Sequence, residues 1–324
     1  MKHIKLGKSD LVVSQIALGC MGLGGSWDAN SLLTKEDEKL TLNIVEAALE
    51  QGINFFDHAD IYKRGKAEIV FSSIWEANLV KREDIYIQSK CGIRLGGDLW
   101  DGSAPHYDFS YEHIIKSVDA SLSRLKTDYL DGLLLHRPDT LMEPEEVAKA
   151  FSELKSSGKV RYFGVSNHNG PQIDLLQSYL DEPLVTNQME MSLAQANLID
   201  EGLNVNSLVN PLDYRSQGTL EYCRHHQITL QAWSPLAGGA LTSELVLPEY
   251  EEMTKLIRHY ANEFGVSPEA IVIAWLLRHP AQIQPIVGTT TPTRLQAICE
   301  AKNVQLTREQ WYRLYNSGIG RKLL

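Results

Sequence analysis

The stretch LDGLLLHRPDTLMEPEEVAKAFSELKSSGKVRYFGV (130–165) contains the pattern that decides the fold. Two short apolar runs, LDGLLL (130–135) and VRYFGV (160–165), flank a longer amphipathic segment. Short apolar runs are typical of buried strands, and apolar residues repeating every three to four positions are typical of a helix. Strand–helix alternation of this kind favours parallel strands joined by crossover helices.

The same alternation extends along the whole chain. Six further apolar runs predict strands: QIAL (15–18), INFF (53–56), IYIQ (85–88), LVTNQ (184–188), ITLQAW (228–233) and QPIVG (284–288). Eight such units predict a closed (β/α)8 TIM barrel rather than an open doubly wound sheet. The 324 residues suit one barrel with inserted loops, so we predict a single domain over 1–324, although length alone also allows two smaller domains.

Helix boundaries are marked by capping residues. Residues 36–51 predict a helix with Gly52 as its C-cap, and residues 111–125 carry an apolar stripe at helical spacing. Three further helices are predicted to begin where a capping residue precedes proline or forms a capping box: at Ser267–Pro268, at Thr291–Pro292, and at Thr307 with Gln310.

The remaining segments predict a hairpin and long loops. HIKLG (3–7) and LVVSQ (11–15) predict a small N-terminal β-hairpin before the first barrel strand. Three irregular stretches, at 91–110, 190–212 and 236–250, are long for a compact alternating chain. Because active sites of such barrels lie on the loops after the strands, at the C-terminal face, we expect these loops to serve function.

Composition excludes several classes of partner. The net charge of −10 repels phosphate backbones, which argues against nucleic acid. No apolar run reaches the ~20 residues that span a bilayer, and the first residues do not read as a signal peptide. The four cysteines form no CxxC pair and no His/Cys metal spacing, so we predict a reducing, cytoplasmic location and no metal.

Four polar side chains stand at or just after the predicted strand ends: Asp57, Tyr62, Lys90 and His136. A tyrosine hydroxyl, with an ordinary pKa of ~10, is a poor acid near neutrality, and a neighbouring ammonium lowers that pKa. A carboxylate keeps the ammonium charged, and a histidine donates to a substrate oxygen. Together they are suited to protonating the alkoxide formed when hydride reduces a carbonyl. Each residue alone also has an ordinary explanation, such as a helix cap or a core histidine.

The chain resembles the aldo-keto reductase superfamily nearly from end to end. The resemblance rests on five segments in order: INFFDHADIYKRG (53–65), IQSKCG (87–92), LDGLLLHRPD (130–139), GKVRYFGVSNH (158–168) and LQAWSPLAGG (230–239). It implies that Tyr62 is the general acid, that Lys90 lowers its pKa, that Asp57 pairs with Lys90, and that His136 orients the carbonyl of a small-molecule substrate.

The resemblance also implies NADP(H) as the cofactor. Three residues match those that hydrogen-bond the nicotinamide carboxamide: Ser166, Asn167 and Gln188. Trp233 matches the aromatic residue that stacks on the nicotinamide ring. Three more match the cradle of the pyrophosphate: Ser234, Leu236 and Gly238. A β/α barrel has no Rossmann unit, so the absence of a GxGxxG motif is expected.

The adenosine end of the predicted cofactor site is matched less completely. Thr289, Thr290 and Arg294 precede or open a helix, and a helix N-terminus with an arginine suits a phosphate, which favours NADP over NAD. Two features depart from the commonest family pattern. Gly288, which belongs to the predicted cofactor site, stands in place of a lysine, and Ala297 with Ile298 replaces a Glu-Asn pair.

The substrate pocket has four candidates in the long loops and after the first strand: Met21, Trp27, Trp100 and His106. Trp27 and Trp100 form either an apolar wall for an aldehyde or ketone, or simply pack on the barrel rim. Two rival functions stay open. Lys90 suits a Schiff-base lyase if it is neutral, and some superfamily members are NADP-binding, redox-sensing regulatory subunits with slow turnover. Both a monomer and a homo-oligomer are compatible with the sequence.

Overall fold

The chain begins with the predicted hairpin. A computed structural model describes residues 1–205 and 217–318, and in it strand β1 (His3–Lys5) pairs antiparallel with β2 (Val12–Ser14). Apolar hairpin residues pack against Phe55 and Val185, which lie at the starts of barrel strands. The hairpin therefore covers the barrel end opposite the loops that follow the strands. Gly7 allows the close approach, because a Cβ there would lie 2.2 Å from the Val185 carbonyl oxygen.

Eight parallel strands close into a barrel, which confirms the predicted fold. They are, in chain order, β3 (Ala17–Gly19), β4 (Phe55–Asp57), β5 (Tyr86–Cys91), β8 (Leu130–Leu135), β9 (Val160–Ser166), β10 (Leu184–Glu190), β11 (Thr229–Trp233) and β12 (Gln284–Val287). Each pairs with the next, and β12 pairs with β3 to close the ring. The two remaining strands, β6 (Ile93–Arg94) and β7 (His106–Tyr107), form a separate antiparallel pair.

Helices occupy the segments between the strands. They are α1 (Lys35–Glu50), α2 (Lys66–Phe71), α3 (Ser73–Glu76), α4 (Tyr111–Leu125), α5 (Pro144–Ser156), α6 (Gly170–Gln177), α7 (Asn197–Leu203), α8 (Thr219–His226), α9 (Glu251–Phe264), α10 (Pro268–Leu277), α11 (Pro292–Cys299) and α12 (Arg308–Asn316). Their apolar faces pack on the outside of the barrel and form the main core.

The capping signals locate most helix ends. Helix α4 has the predicted bounds, and α1 ends at Glu50, two residues before Gly52 with its φ of 77°. Ser267 caps α10 through the Ala270 amide, and Thr307 forms the predicted capping box of α12. Thr291 precedes α11, but its side chain makes no capping hydrogen bond.

The three long stretches are only partly irregular. The first, 91–110, contains the β6–β7 pair, and the third, 236–250, contains 3-10 turns at Ala237–Gly239 and Pro248–Tyr250. The interpretation of 190–212 as irregular is wrong for α7, which forms because buried Leu198 and Ile199 pack into the core. Residues 206–212 lie outside the described part of the chain.

Candidate active site

The predicted catalytic residues meet at the C-terminal mouth of the barrel. Asp57 ends β4, Lys90 lies one residue before the end of β5, and His136 follows β8 directly. Tyr62 begins the 3-10 turn Tyr62–Gly65 that follows β4. Strand register places Asp57 beside Gln88 of the neighbouring strand. The parallel barrel thus brings together residues that are 79 positions apart in sequence from Asp57 to His136.

The Lys90 ammonium has all three of its hydrogens engaged. It donates to Asp57 Oδ2 at 2.8 Å, to the His58 carbonyl oxygen at 2.7 Å and to the Tyr62 hydroxyl at 3.0 Å. The side chains of Lys90 and Asp57 are 0% and 2% exposed. Because the Tyr62 oxygen accepts from Lys90, the hydroxyl hydrogen is left to point away from it. The tyrosine is therefore oriented as a donor toward other groups.

Electrostatics keep the ammonium charged and the phenol neutral. Burial opposes the charge of Lys90, but Asp57 and Tyr62 outweigh it, and the pKa of Lys90 is raised. Burial raises the pKa of Tyr62 above 10.0, against the opposing effect of Lys90. The direction predicted for the Lys90 effect is confirmed. The expectation of a lowered Tyr62 pKa is wrong, because desolvation of the buried phenolate is the larger effect.

His136 is a neutral imidazole beside Tyr62. The two rings lie edge to face with centroids 6.0 Å apart. Burial, followed by the charges of Lys90 and Arg137, lowers the pKa of His136 well below 6.5. Its Nδ1 is buried and has no hydrogen-bond partner in the structure described. A neutral imidazole carries one N–H, so His136 has a hydrogen to donate to a ligand oxygen.

A ladder of glutamines runs through the barrel interior beneath Asp57. Gln88 and Gln188 both donate to Asp57 Oδ1, at 2.7 and 3.0 Å, and to Gln231 Oε1, at 2.9 and 3.1 Å. Gln231 donates to Gln284, and Gln284 donates to the carbonyl of Ser14 in β2. Of these glutamines, only Gln188 is predicted from the sequence. The available signal was a glutamine within, or at one end of, each of four apolar runs.

The mouth of the barrel contains a cavity of about 530 Å³, within the range of small-molecule and cofactor sites. Three of the four predicted catalytic residues line it, and Lys90 lies behind Tyr62. All the predicted cofactor residues except Thr290 also line it: Ser166, Asn167, Gln188, Trp233, Ser234, Leu236, Gly238, Gly288, Thr289 and Arg294. Thr290 instead approaches the backbone of Gly22, where a Cβ would lie 2.8 Å from the threonine methyl group.

The four residues predicted to contact nicotinamide are joined by hydrogen bonds. Ser166 donates to the Gln188 carbonyl, Asn167 donates to Ser166, and the Trp233 indole donates to Asn167 Oδ1 at 3.1 Å. Asn167 adopts a left-handed backbone with φ of 61°, a conformation that asparagine tolerates. The side-chain N–H group of Gln188 donates to Asp57 and Gln231. Its side-chain carbonyl oxygen is therefore the group available to a ligand.

The predicted phosphate end contains an acid that the sequence analysis missed. Arg294 Nε lies 3.2 Å from Glu269 Oε1, and Nη2 donates to Thr242 Oγ1 at 3.1 Å. The guanidinium also faces Gly239, whose absent side chain leaves room beside it. Glu269 lies in the first turn of α10, 25 residues before Arg294. An arriving phosphate has to compete with this carboxylate for Arg294.

The substrate-pocket candidates divide into two groups. Met21 and Trp27 line the cavity, with the Lys63 ammonium 5.3 Å from the Trp27 ring. Trp100 and His106 are not among the lining residues, and both are exposed on the 91–110 stretch. Arg137, which is not predicted from the sequence, lines the cavity as well.

Over the part of the chain described, no three His, Cys, Asp or Glu side chains are grouped to hold a metal ion. The cysteines Cys20, Cys91, Cys223 and Cys299 are buried and free. Among the helices of residues 1–205 and 217–318, none combines the length and apolar character needed to cross a membrane.

Comparison with known sequences identifies the family. The sequence model of the aldo/keto reductase family matches residues 15–317. The chain belongs to the aldo-keto reductase family. YcsN of Bacillus subtilis, an uncharacterised oxidoreductase, is 39% identical over 99% of both chains. A 6-dehydroglucose reductase of Agrobacterium fabrum is 39% identical over 100% of both. The protein is accordingly an NAD(P)-dependent oxidoreductase.

Solved aldo-keto reductases share the fold. One from Bacillus halodurans, in its holo form, has a TM-score of 0.74 at 25% identity, over 99% of this chain and 97% of that chain. A thermostable aldo-keto reductase in complex with the inhibitor epalrestat has a TM-score of 0.79 at 24% identity, over 98% of this chain and 100% of that chain. The closed barrel of this aldo-keto reductase is therefore the fold of its family.

Proposed function

We propose that this aldo-keto reductase uses NADPH to reduce an aldehyde or ketone to an alcohol, with Tyr62 as the general acid. The observation that carries the proposal is the 3.0 Å hydrogen bond from Lys90 to Tyr62, at a cavity that both Tyr62 and His136 line. Lys90 donates a hydrogen bond to the phenol oxygen of Tyr62. The phenol hydrogen is therefore free for a substrate oxygen in that cavity.

Each residue of the site has a role in this reaction. His136 donates its single N–H to the carbonyl oxygen and fixes the orientation of the substrate. Tyr62 passes its proton to that oxygen as negative charge develops there. The Lys90 ammonium stabilises the phenolate that remains, and Asp57 balances the ammonium charge in the buried site. The raised Tyr62 pKa keeps the hydroxyl protonated until the substrate oxygen becomes basic.

The residues of the cavity fit a nicotinamide cofactor. The side-chain carbonyl oxygen of Gln188 accepts a hydrogen bond from a carboxamide N–H, and the Trp233 indole offers a ring face for stacking. The loop that contains Ser234, Leu236 and Gly238 lines the same cavity and suits the pyrophosphate. Bound NADPH supplies the hydride. Arg294, at the start of α11, is the residue proposed for its 2′-phosphate.

The charge state of Lys90 argues against a Schiff-base lyase. Amine attack on a carbonyl needs a neutral lysine with a free lone pair. Lys90 has a raised pKa and donates all three hydrogens to Asp57, His58 and Tyr62. A reductase uses this charged lysine without changing its protonation state.

The test is NADPH oxidation, followed by absorbance, with a panel of aldehydes and ketones that includes 6-dehydroglucose. We expect turnover by the parent protein and a loss of at least about 100-fold in Tyr62→Phe, the size of effect usual for a general acid. Tyr62→Phe should bind NADPH nearly as tightly as the parent. Equal losses of binding and turnover would refute the acid role. Tight NADPH binding without turnover on any substrate would favour a redox-sensing subunit.

A further inference from the structure

Arg137 is a cavity-lining cation that has no acidic partner among residues 1–205 and 217–318. It follows His136 directly and lines the same cavity as Tyr62 and His136. Its guanidinium carbon lies 5.5 Å from the centroid of the Trp233 ring. Among the described residues, it forms no ion pair and no side-chain hydrogen bond. A guanidinium carries five N–H donors, and all of those on Arg137 remain available to a ligand.

The other charges of the cavity are balanced. Asp57, the acid that lines it, is paired with Lys90 at 2.8 Å. Arg294, the second lining arginine, lies 3.2 Å from Glu269. Within the described part of the chain, Arg137 therefore gives the cavity lining one excess positive charge, in a chain whose net charge is −10. That charge also helps to lower the pKa of His136, so the guanidinium acts within the catalytic end of the cavity.

We propose that Arg137 selects carbonyl substrates that carry a carboxylate. One uncompensated guanidinium matches one carboxylate, both in charge and in its two parallel donors. A phosphate dianion would leave an excess negative charge in a part-buried site. The proposal rests on the proposed function, since the carboxylate is bound while Tyr62 and His136 hold the carbonyl oxygen of the same molecule.

Trp233 supports the arginine without closing the cofactor position. A guanidinium packs well on an aromatic face, which limits its rotation and reduces the entropy lost when a carboxylate binds. An indole has two faces, and the contact with Arg137 uses one of them. The indole N–H donates to Asn167 Oδ1 at 3.1 Å, and this hydrogen bond fixes the orientation of the ring.

The test compares charged and neutral versions of one substrate. The 2-, 3- and 4-formylbenzoates and their methyl esters differ in charge and sample three spacings between aldehyde and carboxylate. The readout is the ratio of kcat/KM for each acid to that for its ester, with NADPH saturating. We expect at least one isomer to favour the acid in the parent. Arg137→Gln should reduce that ratio about 10- to 100-fold, as the loss of a charged hydrogen bond does. Arg137→Lys should retain part of it.

Two controls separate the possible failures. Arg308→Gln removes the same charge from an exposed position of α12 and should leave the ratio unchanged. The Kd of NADPH is measured for each variant, because the cofactor phosphates are the other anions at this mouth. Circular dichroism confirms that each variant is folded.

Three results would overturn the proposal. If the parent reduces the esters but favours none of the acids, Arg137 does not select carboxylates, and the proposed reductase function still stands. If Arg137→Gln weakens NADPH binding as much as it lowers the ratio, the arginine serves the cofactor. If NADPH is not oxidised with any substrate of the panel or of this series, the reductase function and the inference fall together.

Discussion

Gln188 donates a hydrogen bond to Asp57 Oδ1 at 3.0 Å and also lines the cavity. One side chain thereby connects the Asp57–Lys90 pair to the predicted nicotinamide position. Gln88 donates to the same carboxylate oxygen at 2.7 Å from the other side, but it does not line the cavity. The two glutamines form a natural matched pair, since both support Asp57 and only one can contact a ligand.

We expect Gln188→Met and Gln88→Met to lower stability alike and to affect cofactor binding differently. Each removes one donor to Asp57 and one to Gln231, while the other glutamine still donates to both. We therefore expect each variant to lose about 1–3 kcal/mol, the net contribution of two hydrogen bonds. Urea unfolding measures this loss. Fluorescence titration should show weaker NADPH binding for Gln188→Met and little change for Gln88→Met. Equal Kd values for the two variants would contradict a contact between Gln188 and the carboxamide.

The Lys90–Asp57 pair gives a prediction for stability. Lys90→Met leaves a buried carboxylate without its cation, so we expect a loss of about 3–5 kcal/mol. Adding Asp57→Asn removes the uncompensated charge, and the double variant should recover most of that stability while both variants lack turnover. The stability that comes from the raised pKa of Lys90 is fully present below pH 10.5, the ordinary lysine pKa, and is lost as pH rises through the raised pKa. A double variant less stable than Lys90→Met would refute this account.

The fold is largely predictable from the sequence because its signals are local. Each barrel strand is a short apolar run, and α4 has the predicted bounds because Ser110 caps its start and the apolar stripe ends at Leu125. The proposed catalytic set is predictable because its members stand at or close to strand ends, and in a barrel all eight ends meet.

The parts that were missed depend on contacts between distant elements. Arg294 and Glu269 meet because α10 and α11 pack side by side, which no spacing within either helix indicates. The glutamine ladder depends on strand register, which pairs Gln188 with Gln231 and Gln231 with Gln284. The pKa of Tyr62 is raised mainly by burial. The motifs of the sequence indicate that Lys90 is a neighbour of Tyr62, but they do not indicate how deeply the hydroxyl is buried.

Competition between Glu269 and a phosphate for Arg294 yields opposite effects for two variants. Arg294→Ala should weaken NADPH binding about tenfold or more and weaken NADH binding much less, because only NADPH carries the 2′-phosphate. Glu269→Gln should tighten NADPH binding, since it removes a like charge next to the phosphate and frees the guanidinium. Titrations of both cofactors against both variants check this. Equal changes in the Kd of NADPH and NADH would place the 2′-phosphate elsewhere.

The buried carboxyl of Asp60 is expected to make the free energy of unfolding depend on pH. Burial, followed by the charge of Glu68, raises its pKa from 3.8 to about 7, and its Oδ1 is buried without a hydrogen-bond partner in the structure described. The folded state therefore binds this proton more tightly than the unfolded state. Stability is highest below pH 4 for this group and falls as pH rises from 4 to 7, after which the loss is constant.

We expect Asp60→Asn to remove that loss of stability. A pKa near 7 would correspond to ~4 kcal/mol for a fully buried acid, but Asp60 is partly exposed, so the expected gain over the parent at pH 8 is about 2 kcal/mol. Near pH 4 the gain should vanish, since the parent carboxyl is then protonated and resembles the amide. Urea unfolding at both pH values measures the difference. Asp101→Asn removes the same charge from an exposed loop and serves as the control. If the stability gain of Asp60→Asn is the same at pH 4 and pH 8, as it should be for Asp101→Asn, the Asp60 carboxyl is not the source of the pH-dependent loss.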